Sequence, residues 1–242
     1  MKIANRGRFA LALLLLSLWL PAAWAGHAVL IWPVDPVMAG AQKAAELWVE
    51  NKGATATLLQ VRIFAWQQSG EGERFHTQQD IIASPPMLRL DAGQKQLIRL
   101  IRQTPAAAGR EQAYRILLDE IPTPGDRVDD PANSLTFQMR YSIPLFVYAG
   151  QASPDSGAPL LSWRLVQVKG QTCLEIANRG PVHARLSRAR LGTYQLTDGL
   201  FGYVLANSSY RWPLKAPVDA GSLLEARVDN RKTVWRSRAA AR

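Results

Sequence analysis

The 242-residue chain has one cysteine, Cys173, and three histidines. A single thiol excludes an intrachain disulfide and any cysteine-built metal site, so stability has to come from packing. The histidines are isolated in sequence: His27 near the start, His76 in an expected hairpin loop, and His183 beside Pro181 where a strand begins. Each reads as a surface or turn residue rather than a metal ligand. Beyond residue 25 there is no apolar run of bilayer-spanning length. Helical striping is missing as well, because Pro105 and Gly109 bracket Ala106-Ala107-Ala108 too closely for a helix to grow. Acidic groups are scarce, 19 against 29 basic ones, giving a formal charge of +10 and a pI near 10.2. With 48% apolar and 20% charged residues, a disordered or collagen-like chain is excluded.

The sequence also lacks the usual marks of catalysis. It has no G-x-S-x-G, no HExxH, no phosphate-binding loop and no dinucleotide fingerprint. Asp129 and Asp130 lie in a proline-flanked loop and read as solvated turn residues rather than an acid/base pair. Cys173 alternates with Leu174 and Ile176, the setting of a small core side chain rather than a reactive thiolate. The expectation is a protein that is not an enzyme and needs neither cofactor nor metal.

The first 25 residues have the layout of a secretory leader. Lys2, Arg6 and Arg8 are followed by the apolar run 9–20, a break at Pro21, and Ala23-Trp24-Ala25. Without this segment the charge falls by three, to +7. Export removes nucleic acid as a partner and leaves no segment for stable membrane insertion.

Short runs of period-two alternation, rich in Val, Ile, Leu and aromatics, fill the remainder. They recur about every ten residues between Gly, Pro, Asn and Asp, the pattern of a β-sandwich. Strands are expected at 28–33, 44–51, 58–67, 81–84, 87–90, 96–102, 113–120 and 135–147. A second set follows at 161–168, 172–178, 182–191, 202–205, 210–214, 223–228 and 234–236. Residues 148–154 break the composition between the sets, and Asn51-Lys52-Gly53 and Asn178-Arg179-Gly180 place the same turn chemistry in both. The expected organisation is a leader at 1–25, a first sandwich at 26–148 and a second at 149–242.

The most informative segment is Leu135-Thr-Phe-Gln-Met-Arg-Tyr-Ser-Ile143. Leu135, Phe137, Met139, Tyr141 and Ile143 fall on one face and polar residues on the other. As the last strand of its sandwich it suits an edge, and an edge strand carrying large apolar side chains needs a partner. A guest strand would take affinity from its open main chain and register from its side chains.

Here the sequence resembles the periplasmic chaperones of the chaperone/usher pilus assembly pathway. The likeness rests on Ser84-Pro85-Pro86, Arg89-Leu90, Gly93 and Arg99-Leu100, on Tyr114-Arg115 with Glu120-Ile121-Pro122, and on the alternating strand ending Ile143-Pro144-Leu145-Phe146. It implies two immunoglobulin-like sandwiches set as an L in the periplasm. It also implies donor-strand complementation, in which the chaperone's edge strand fills the groove of an unfinished pilin until delivery to an outer-membrane usher. Burying the five apolar side chains at about 1.5 to 3 kcal/mol each would outweigh the ordering of a short strand. An open edge also permits self-association of the unliganded protein.

The family holds the pilin's terminal carboxylate with an Arg and a Lys, whose places here fall on Asp35 and Pro144. That departure implies a divergent branch of archaic or alternative type. Arg102 and Arg115 then become the candidate anchors, with Arg99 and Arg140 behind them, because arginine is the best fork for a carboxylate. The family's interdomain ion network maps onto Arg99, Glu111 and Asp229. The alternative is a secreted basic module that binds an anionic surface polymer through Arg227, Arg231, Lys232, Arg236, Arg238 and Arg242.

Overall fold

The computed structural model describes residues 29–105, 111–122, 138–150, 153–219 and 221–240. The leader, His27, Asp129-Asp130, Leu135, Phe137 and Arg242 lie outside them. The alternating runs form strands, and no α-helix occurs among the described residues.

Ten strands build the first sandwich: β1 (Val29–Trp32), β2 (Val37–Met38), β3 (Ala44–Asn51), β4 (Thr57–Ser69), β5 (Gly72–Thr77), β6 (Ile81–Ser84), β7 (Met87–Leu90), β8 (Lys95–Arg102), β9 (Gln112–Ile121) and β10 (Arg140–Val147). One sheet runs β1-β3-β8-β6 and the other β2-β10-β9-β4-β5, with β7 also paired to β4. Their facing side chains, among them Leu47, Val49, Leu59, Leu100, Ile116 and Leu145, close the first core.

The second sandwich holds β11 (Leu161–Val168), β12 (Gln171–Asn178), β13 (Ala184–Leu191), β14 (Tyr194–Gln195), β15 (Leu200–Val204), β16 (Ser208–Pro213), β17 (Leu224–Val228) and β18 (Thr233–Ser237), with a 3₁₀ turn at Asp229–Arg231. Its sheets run β11-β12-β16 and β14-β13-β17-β18, with β15 also paired to β13. Trp163, Leu174, Ile176, Leu186 and Val204 anchor its core, and Cys173 is buried at its margin.

The matching Asn-x-Gly turns do matching work. Asn51 is fully buried; its amide donates to the carbonyls of Thr55 (2.7 Å) and Leu90 (3.1 Å) and its oxygen accepts from Gly53 N (2.9 Å). Asn178 donates to Val182 (2.8 Å), Val204 and Leu205 (both 3.2 Å) and accepts from Leu160 N (3.0 Å) and Gly180 N (2.9 Å). Gly180 cannot carry a side chain, since a Cβ there would stand 2.2 Å from the Ala158 carbonyl oxygen.

The alternation missed β2, β5 and β14. The two-residue strands β2 and β14 are too short for a period to be read. β5 places His76 in a strand rather than a loop; it is exposed along most of its length and carries no apolar alternation. Of the expected strand at 135–147, β10 takes in Arg140–Val147, and residues 135–137 lie outside the described ones.

Candidate functional site

Strand β10 has an unequal pair of neighbours. Along its whole length it pairs antiparallel with β9, from Arg140 opposite Asp119 to Val147 opposite Gln112. Its other side meets β2 at Phe146 and Val147, where Phe146 N donates to Pro36 O (3.2 Å) and Tyr148 N to Met38 O (2.8 Å). The backbone N–H of Glu120 donates to the Met139 carbonyl (3.0 Å), which fixes the phase of the ladder. Odd-numbered residues of β10 turn their main chain toward β9, and even-numbered ones turn theirs outward. Arg140 and Ser142 therefore present unpaired N–H groups, whereas Pro144 has none to present. Among the described residues the open edge of β10 runs from Arg140 to Pro144 and is sealed beyond it.

The five expected donor residues separate along this strand. Met139 is 45% exposed, while Tyr141 is half-buried, its hydroxyl 3.4 Å from both Val29 N and Glu120 Oε1. Ile143 is 7% exposed and packs in the first core beside Leu145. The expectation that Ile143 is offered to a guest is corrected by that packing. The row on offer among the described residues is Met139 and, in part, Tyr141.

The candidate anchors also separate. Arg102 is consumed by its own fold: Nη1 donates to Gly40 O (3.0 Å) and Nη2 to Tyr148 O (3.2 Å) and Met38 O (3.5 Å), tying β8 to the far end of β10. Arg140 is consumed by Asp119, to which its Nε donates. Arg115 differs. It stands opposite Pro144 on β9, with its side chain 12% exposed and its guanidinium carbon 3.7 Å over the Trp66 ring and 5.4 Å from that of Tyr203. The nearest carboxylate, Glu73, is 3.8 Å away, and Arg115 Nε is buried without a hydrogen-bond partner. Burial pulls its pKa below the ordinary guanidinium value, with Glu73 and Tyr203 opposing. A cation so poorly compensated is one that an incoming carboxylate would stabilise.

The ion network expected from Arg99, Glu111 and Asp229 does not form. Arg99 is exposed on β8, Asp229 pairs with Arg227 (3.0 Å), and Glu111 is buried elsewhere. The tie between the sandwiches is instead built on His183, which the sequence suggested was a surface residue. Its backbone N–H donates to both Glu111 oxygens (3.0 and 3.1 Å), and its Nδ1 lies 2.8 Å from Glu111 Oε2. The Tyr148 hydroxyl donates to the same carboxylate (2.6 Å), and the His183 ring stacks on Phe146 at 3.5 Å. Trp66, Phe146, Tyr148, Val182, Tyr203 and Leu205 form the apolar cluster around it. Gln68 adds a bond to Tyr203 O and one from Leu205 N, and Asp35 lies 3.4 Å from Arg185. No isolated motif marks His183 in the sequence; its place between the apolar Val182 and Ala184 at the start of an expected strand was the available signal.

The basic C-terminal region offers little unpaired charge. Arg227 pairs with Asp229, Arg231 lies 3.4 Å from Asp155, and Arg236 shares Glu225 with Arg190. Among the described residues no group of three His, Cys, Asp or Glu is placed to hold a metal.

Comparison with known proteins bears on this geometry. Residues 33–149 match the family of pili and flagellar-assembly chaperones, PapD N-terminal domain. A curated relative, the probable fimbrial chaperone LpfB of Escherichia coli O157:H7, is 30% identical over 108 residues, and the match spans 44% of either chain. The fold matches that of the CupB2 chaperone of Pseudomonas aeruginosa, with a TM-score of 0.58 and 18% identity over 88% of this chain and 100% of that one. A chain of the CsuC–CsuE chaperone–tip adhesion subunit pre-assembly complex, from the archaic chaperone-usher Csu pili of Acinetobacter baumannii, is 30% identical with a TM-score of 0.73, over 88% of this chain and 100% of that one. With likeness at that level running the full length of the Csu chain, and two immunoglobulin-like sandwiches in tandem, this chain belongs to the pilus-assembly chaperones of the chaperone–usher pathway.

Proposed function

We propose that the protein works in the periplasm, where it folds, stabilises and caps pilus subunits by donor-strand complementation and passes them to an outer-membrane usher. The observation that carries this reading is the open stretch of β10 between Arg140 and Pro144, continuous with the exposed Met139. A guest strand laid along it would meet the outward main chain of Arg140 and Ser142, while the apolar row from Met139 back through Phe137 and Leu135 entered the guest's groove. Pro144 would end the pairing opposite Arg115, the candidate anchor whose guanidinium makes no hydrogen bond among the described residues and which is therefore the favoured seat for the guest's terminal carboxylate. The likeness to an archaic Csu chain supports placement in the archaic branch. Cleavage after residue 25 and a division of the chain at 148/149 complete the proposal.

The test is co-expression in a bacterial periplasm with a pilin whose N-terminal extension has been removed. The native chain should co-purify with it as a one-to-one complex. Phe137→Asp/Met139→Asp should lose the complex, and Arg115→Met should weaken it. Equal capture by the double variant would sink the edge-strand reading.

A further inference from the structure

Asp119 sits on β9 between β4 and β10, with its side chain 12% exposed, and holds an arginine on each side. Its Oδ2 accepts from Arg62 Nη2 (2.7 Å) and Nε (3.1 Å), and its Oδ1 accepts from Arg140 Nε. The two arginines are far more exposed, at 41% and 61%, so the carboxylate is the buried member that both of them reach. Burial alone would raise the Asp119 pKa, but the bonds from Arg140 and Arg62 outweigh it and hold the carboxyl below its usual range. Asp119 is thus charged throughout the neutral range.

The position of Arg140 gives the cluster its meaning. It is the first residue of β10, where the chain joins the sheet, and β2 lies too far along to support it there. The far end of β10 is held by β2 and by Arg102. The near end has its main-chain ladder and the Asp119 carboxylate.

We propose that Asp119 is a positioning residue for the guest-binding edge, acting through Arg140. This rests on the chaperone reading above. Pinning Arg140 to the outer face of β9 fixes the register of β10 at its start and turns Met139 to the opposite face, toward the guest's groove. Without the clasp the segment at 139–142 frays, and a guest must order it on binding, which lowers apparent affinity by the fraction of time the strand is formed. Arg62 braces the carboxylate from β4 and does not touch the edge.

The experiment uses the full chain and the variants Asp119→Asn, Arg140→Gln, Arg62→Gln and Asp119→Asn/Arg140→Gln. Loss of a charge-assisted bond corresponds to about tenfold in an equilibrium. Hydrogen exchange of the free protein at the ladder amides of Tyr141 and Glu120 should quicken by about that factor in Asp119→Asn and in Arg140→Gln, with β4 exchange unchanged. The double variant should be no worse than either single, as expected for one shared interaction. Dissociation of the co-expressed pilin lacking its N-terminal extension should quicken in the same order. Unchanged exchange at Tyr141 and Glu120, or an Arg62→Gln variant that alone reproduces the effect, overturns the proposal. If the native chain holds the pilin and Asp119→Asn holds it as long, the clasp fails while the chaperone reading stands. If the native chain captures no pilin, the chaperone reading fails first.

Discussion

Replacing Glu111 by alanine tests whether the two sandwiches share one stability. Its carboxylate, 1% exposed, accepts from the Tyr148 hydroxyl and the His183 backbone N–H and lies against His183 Nδ1. Each buried donor left without an acceptor costs about 1–3 kcal/mol, which would give about 6 kcal/mol if the three added. They do not add. A cavity of about 280 Å³, lined by Glu111, Trp66, Gln68 and Leu205, adjoins the site and admits water to the orphaned donors. The expected loss is therefore about 3 kcal/mol, or about 6–12 °C in Tm for a chain of this size. Glu111→Gln keeps one acceptor and should lose about half as much, roughly 1.5 kcal/mol. Urea unfolding at neutral pH gives the free energies, with Trp66 at the interface and Trp163 in the second core as fluorescent reporters. Calorimetry should resolve one endotherm into two, because the tie and the cluster around it are the main coupling of the halves beside the Gln68 and Asp35 contacts. A loss below about 1 kcal/mol with a single unchanged endotherm would refute the reasoning.

Other outcomes follow from the same structure. Asn178→Ala removes five hydrogen bonds and Asn51→Ala three, so urea unfolding should show the larger loss for Asn178, about 3–4 against 2–3 kcal/mol. In Asp119 and Glu175 burial raises the pKa, but arginine hydrogen bonds more than offset it, from Arg140 and Arg62 in one case and from Arg211 and Arg164 in the other. Carboxylates with depressed folded values stabilise the protein above the unfolded pKa and lose that contribution as pH falls through the folded one. Tm should therefore be flat from about pH 8 to 5 and fall below about pH 4, and Arg211→Gln should shrink the acid-sensitive part. Cys173, buried at the core margin, should react with a maleimide at the rate of unfolding rather than at the rate of a free thiol.

Much of the fold was legible because both sandwiches bury one face of nearly every strand. Strands β3, β6, β7 and β11 match the alternation residue for residue. β5 escaped because it is mostly exposed, and exposure leaves no apolar period to read. The function was legible through the last strand of the first sandwich, where alternation and edge position coincide. The site residues were harder, because arginine carries the same letter whether it grips carbonyls, as Arg102 does, or lies on an indole, as Arg115 does. Glu111 was singled out, but its partner was not: His183 stands 72 positions away, and a histidine is not the cation an ion network leads one to seek.

Pro144 bears on a hazard that any protein with an unpaired strand runs. A long, bare sheet edge invites copy after copy to add on, the first step toward a fibril. Among the described residues the rim is bare from Arg140, then meets a ring nitrogen that cannot donate, then vanishes under β2. Toward its C-terminal end such a stretch offers nothing for a further copy to pair with, so growth in that direction stops. A proline that offers no N–H, set just before the stretch that β2 covers, thus limits how far this edge could grow into an aggregate.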